Sequence, residues 1–114
     1  MTAAQTQKIK ILIKRPDEPP EIAEIEIEGR NADKALTPLL GAKSDWDIET
    51  CEYNSSIRMF YTLSGRYNFS IAYQTFTGAV AFVKRKSHHR NKDGKPLDIS
   101  PADVKRIKAA LNWR

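Results

Sequence analysis

The sequence predicts an α+β fold, a single domain in which an antiparallel sheet packs against a short N-terminal helical segment and a longer C-terminal helix. Three observations predict it. Near the start, "KIKILIK" and "EIAEIEIE" alternate apolar and charged residues on either side of a proline-rich break. Further strand-like stretches rich in aromatic and β-branched residues fill the middle of the chain. The end, "SPADVKRIKAALNWR", carries the start signals and apolar spacing of a helix. With 114 residues the chain can build one hydrophobic core and is too short for two ordinary domains.

Met1 to Gln7, "MTAAQTQ", reads as a disordered tail ahead of one domain spanning residues 8–114. In Lys8 to Lys14 the isoleucines at 9, 11 and 13 alternate with lysines, the period of a strand with one buried face. "RPDEPP" then interrupts regular structure, because proline fixes φ and lacks a donor. "EIAEIEIE" resumes the alternation, with Ala23, Ile25 and Ile27 on one side and Glu24, Glu26 and Glu28 on the other. The two stretches form an antiparallel hairpin in which lysines meet glutamates across the pair, each contact contributing about 0.2–1 kcal/mol. That is a structural use for these carboxylates, and no His or Lys is forced beside one of them for catalysis.

In "NADKALTPLLG", Asn31 is the expected N-cap, Ala32, Ala35, Leu36, Leu39 and Leu40 the apolar set, and Gly41 the stop. Pro38 is expected to bend this helix or begin a second turn. "WDIETCEY", "IRMFYTL" and "RYNFSIAY", separated by "NSS" and "SG", read as a meander, followed by a short strand after Gly78 in "GAVAFVK". Asn91 to Gly94 makes a turn within a basic loop at about residues 84–96. In the final helix Ser100 caps, Pro101 occupies the first position and Asp103 closes a capping box. Val104, Ile107 and Leu111 form its inward stripe.

The net charge of +5 conceals a polarised chain. From Pro16 to Tyr53 there are eleven acidic and three basic residues, a balance of −8; from Lys84 to Arg114 there are ten basic and three acidic, a balance of +7. Clustered cations attract phosphates and displace counterions, so the basic end is the candidate binding surface. Its members are Lys84, Arg85, Lys86, Arg90 and Lys92, with Arg106 and Trp113 on the outer side of the last helix as a second part.

Other chemistry finds little support. Cys51 is the single cysteine, which excludes an internal disulfide and multi-cysteine zinc sites and favours a reducing compartment, the cytosol. No apolar run is long enough to span a bilayer, so no membrane insertion is expected. His88 and His89 are adjacent, point apart in an extended chain and lack further ligands at metal spacing. There is no G-x-S-x-G elbow and no phosphate loop. "GAVAFVKR" matches the RNA-recognition strand signature poorly, since Val80 and Arg85 stand where aromatics stack. Tyr67, Phe69, Ile71 and Tyr73 share one strand face, a stripe expected in the core. Catalytic residues, metal ligands and cofactors are therefore all expected to be absent.

"KILIKRPDEPPEIAEIE", the helix ending "LLG", "DIETCEYNSSIRMFYTLSGR", "TGAVAFVK" and "LDISPADVKRIKAAL" together resemble a domain-of-unknown-function family of short proteins from phages, mobile elements and bacteria. The chain departs from that pattern at "KSHHRNKDGK" and "RYNFSIAYQT". The resemblance transfers no catalytic residue and implies a small accessory protein of a virus inside a bacterial host. Two functions are expected from this reading. One is a non-enzymatic binding module that engages an anionic partner, nucleic acid or a nucleotide-like ligand, through the basic end. The other is a protein-protein inhibitor or anti-defence factor acting on a host protein through the acidic Pro16 to Glu28 hairpin or a strand edge.

Overall fold

Lysine-isoleucine alternation and glutamate-isoleucine alternation do pair, and the hairpin they make is the start of a six-stranded antiparallel sheet. The computed structural model describes residues 6–28, 32–71, 74–85 and 96–111. Strand β1 (Thr6–Lys14) pairs with β2 (Glu21–Glu28), with Lys8 facing Glu26 and Lys10 facing Glu24. The strand starts at Thr6, two residues inside the expected tail, with Thr6 opposite Glu28 and Gln7 opposite Ile27; residues 1–5 lie outside the described residues. Strand β3 (Glu49–Glu52) pairs with β4 (Ile57–Ile71), β4 with β5 (Gln74–Arg85), and β5 with both β1 and the two-residue β6 (Pro96–Leu97). The order across the sheet is β2-β1-β5-β4-β3.

Helices α1 (Asp33–Leu40) and α2 (Pro101–Ala110) cover opposite faces, and strand parity assigns the core between them. Ile9, Ile11, Ile25, Ile27, Phe60, Ala81 and Val83 pack with Leu36 and Leu40 of α1. Leu12, Met59, Tyr61, Phe69, Phe76, Val80 and Phe82 pack with Ile107 of α2. The expectation of one buried face for β1 therefore holds only for its first half; from Leu12 to Lys14 both faces are buried.

Helix α1 starts after Ala32, which makes no side-chain cap, and Asn31 lies outside the described residues. Pro38 does not divide it: the helix runs through to Leu40, and Gly41 ends it at φ 68°, with the amides of Gly41 and Ala42 donating to the carbonyls of Pro38 and Thr37. In α2 the capping box is complete. The Asp103 amide donates to Ser100 Oγ at 3.1 Å, and the Ser100 amide donates to Asp103 Oδ2 at 3.1 Å.

The α+β expectation is corrected here: the domain is mostly sheet, carrying two helices of 8 and 10 residues against strands of 15 and 12. The excess strand comes from "SG", expected as a separator, and from "QTFTG", which precedes the strand expected to begin only after Gly78; both are absorbed into a long β4-β5 hairpin. The ladder survives them through a large bulge. Thr62 and Tyr67 both pair with Thr77, so Leu63, Ser64, Gly65 and Arg66 are extruded from the register. Two glycines permit it, Gly65 at φ 119° and Gly78 at φ 67°. They approach so closely that a Cβ on Gly78 would lie 2.7 Å from the Ser64 carbonyl oxygen, and one on Gly65 would lie 2.9 Å from Gly78 Cα.

Asn68 stitches the bulge to β1. Its Nδ2 donates to the carbonyls of Lys14 and Gly78, both at 2.7 Å, and its Oδ1 accepts from Lys14 Nζ at 3.0 Å. Lys14, 2% exposed, also donates to the Arg15 carbonyl at 2.6 Å. Burial pulls its ammonium pKa below the usual lysine value, and the nearby charges of Asp17 and Glu18 only partly oppose that.

Candidate functional site

The basic end divides into residues with quite different surroundings. Lys84 and Arg85 are consecutive on β5, so their side chains leave the sheet on opposite faces. Lys84 goes to the α2 side, where its Nζ meets Asp103 Oδ2 at 2.7 Å. The Asp103 carboxylate also accepts from Ser100 Oγ at 2.7 Å, so one oxygen joins the sheet, the helix cap and the lysine. Burial alone would raise the pKa of Asp103; the hydrogen bonds from Lys84 and Ser100 outweigh it and hold the carboxyl below its ordinary value. Lys84 is thus tied into the fold, its ammonium joining β5 to the cap of α2.

Arg85 is half-buried, and its amide donates to the Ser56 carbonyl at 2.8 Å. It pairs with Pro96, so residues 86–95 connect two neighbouring points of the sheet. Lys86, Arg90, Lys92, His88, His89, the Asn91 to Gly94 turn and Trp113 lie outside the described residues.

On α2 the expected inward stripe is present, with Ile107 fully buried and Val104 and Leu111 partly buried against the same cluster. The remaining surface of α2 is cationic. Lys105 and Arg106 are exposed, and Lys105 and Lys108 flank an open groove of about 440 Å³ floored by Pro101, Val104 and Ala109. Among the described residues, none of Lys105, Arg106 and Lys108 forms an ion pair. Lys8 and Lys10 lie on this side of the sheet too, facing Glu26 and Glu24. Lys10 is tied to the approach to α2, since its amide donates to Asp98 Oδ1 at 2.8 Å and its carbonyl accepts from the Ile99 amide at 3.0 Å.

A second surface was missed by reading the sequence. Between α1 and β3 a 3₁₀ turn at Asp45–Asp47 leaves Trp46 90% exposed, and the β4 bulge leaves Leu63 77% exposed. Both side chains line one groove of about 420 Å³ together with Ala42, Lys43, Asp47 and Glu49. "WDIETCEY" is expected to be a strand from Trp46, but the strand starts only at Glu49, and the five-residue register jump between Thr62 and Tyr67 brings Leu63 beside Trp46. The tight Asp-Trp-Asp flanks were the one available signal. Of the expected aromatic stripe, Phe69 is core, Tyr67 is 62% exposed, and Tyr73 lies outside the described residues.

No family model matches the chain, and no curated protein matches its sequence. A solved structure does share its fold. The crystal structure of small RNA methyltransferase HEN1 superposes with a TM-score of 0.70 over 93% of this chain, at 13% sequence identity. The chain spans 16% of that protein's length. At that identity the likeness is one of fold alone.

Among the described residues no group of three or more His, Cys, Asp or Glu is placed to hold a metal, and no helix is long and apolar enough to cross a membrane. Burial pushes the Cys51 thiol up, against a hydrogen bond with Tyr61 and the charge of Arg58, which leaves it a poor nucleophile at neutral pH.

Proposed function

We propose that this protein is a non-enzymatic binding module for an anionic partner, nucleic acid or a nucleotide-like ligand, engaged by the solvent side of α2. The observation that carries the reading is the set of three cations on α2, Lys105, Arg106 and Lys108, none of them paired to a carboxylate among the described residues. Lys84 is excluded from the contact set because Asp103 neutralises it. Lys86, Arg90, Lys92 and Trp113, which lie outside the described residues, are proposed as further members of this surface from the sequence alone, whereas Arg85 leaves β5 on the opposite face and is not counted with α2. The mechanism is electrostatic: phosphates replace counterions along the helix, with the groove admitting the stem of a ligand between Lys105 and Lys108.

The test is fluorescence anisotropy with labelled 20-nucleotide single-stranded DNA, single-stranded RNA and duplex DNA of random sequence, measured from low to moderate salt. Affinity should fall steeply with salt. The triple variant Lys105→Gln, Arg106→Gln, Lys108→Gln should reduce the slope of log K against log salt by about 2–3, while Lys84→Met leaves it unchanged. Absent binding to every probe and to a nucleoside triphosphate, or a flat salt response, overturns the reading.

A further inference from the structure

We propose that the groove between Trp46, Leu63 and the outer edge of β3 receives an extended segment of another protein, one that carries an apolar side chain flanked by lysine or arginine. Single exposed apolar residues are ordinary. Here two of the largest face one groove, and each is held outward by backbone geometry rather than by chance. Trp46 sits in the middle of a 3₁₀ turn, and Leu63 is the first residue extruded where Gly65 and Gly78 cross.

Beside the groove the sheet ends. β3 is its last strand, four residues long, and no further strand pairs with its outer side among the described residues. A strand edge with an apolar pocket next to it is the arrangement by which an extended peptide adds main-chain hydrogen bonds and anchors alternate side chains. The groove of about 420 Å³ lies within the roughly 300–1,000 Å³ range of ordinary ligand pockets.

Charge selects the occupant. Asp47 and Glu49 line the groove against one cation, Lys43, and Glu52 follows on the same strand, within the stretch whose balance is −8. A phosphate backbone would be repelled there, so this surface is distinct from the α2 surface and takes the opposite sign of partner. An apolar anchor between Trp46 and Leu63 with cations reaching Asp47 and Glu49 satisfies both features.

The experiment is selection from a bead-displayed library of random decapeptides against the full chain, followed by titration of the retained peptides. The expected consensus is an apolar residue flanked by Lys or Arg. Trp46→Ala and Glu49→Lys should each weaken binding about tenfold or more, and alternate N-methylation of the peptide should abolish it. Both substitutions fall on exposed positions, and thermal melts confirm that the variants fold. No retained peptide, an acidic consensus, or affinities within about twofold of wild type in both variants overturns the proposal. So does a dimer in sedimentation that Trp46→Ala dissolves, which would place a second copy of the chain in the groove instead.

Discussion

Replacing Lys84 with Met keeps the length and apolar stem of the side chain and removes only the ammonium, so it isolates the bond to Asp103. The Asp103 side chain is 10% exposed and that of Lys84 26%. A fully exposed pair contributes about 0–1 kcal/mol, and removing one partner of a fully buried pair costs about 3–5 kcal/mol. This pair lies between those limits, and Asp103 retains its two bonds from Ser100, which places the expected loss at about 2 kcal/mol. At roughly 4 °C per kcal/mol for a domain of this size, Tm should fall by about 8 °C. Urea denaturation followed by circular dichroism measures the loss, with Lys105→Met as the control expected to stay within about 0.5 kcal/mol. A double-mutant cycle with Asp103→Asn should return a coupling of at least about 1 kcal/mol. A loss below about 0.5 kcal/mol for Lys84→Met, or a coupling near zero, would refute the assignment of Lys84 to the fold and restore it to the contact surface.

Three further outcomes follow from the same geometry. Because the folded pKa of Asp103 is depressed, its contribution is present above the unfolded value, near 3.8, and is lost as pH falls through the folded value; acid titration of wild type and Asp103→Asn should therefore converge below that range. Gly78→Ala should destabilise by about 2–4 kcal/mol, since it combines positive φ with a clash, whereas Gly41→Ala, at nearly the same φ but with nothing within 4 Å, should cost about 1 kcal/mol in the same urea assay. Asn68→Ala leaves the Lys14 and Gly78 carbonyls and the Lys14 ammonium each short of one partner, and should cost about 2–3 kcal/mol with faster amide exchange across the bulge.

Local periodicity reported what depends on a few neighbouring residues. The β1-β2 hairpin, its lysine-glutamate facing, the Gly41 stop and the Ser100-Asp103 capping box were all readable, because each is decided within one turn or one strand pair. The candidate surface was legible only in part. Arg106 stands exposed as expected from the helical wheel, yet Lys84, its neighbour in the charge count, turns inward to a carboxylate 19 residues away. A run of like charges along a strand does not reveal which members face which side of the sheet.

Composition and alternation by themselves predicted an α+β domain with a helix near each end and an acidic stretch, residues 16–53, set against a basic one, residues 84–114; that the domain is mostly sheet was not among their predictions. Tertiary structure decided that "SG" and "QTFTG" belong to one long hairpin, that both faces of the sheet are covered, and that Leu63 emerges beside Trp46. The physical reason is that each outcome depends on a contact distant in sequence: Gly65 against Gly78, Lys14 against Asn68, Lys84 against Asp103. Such contacts form only after the strands have closed on one another, and nothing in the spacing of a single segment encodes them.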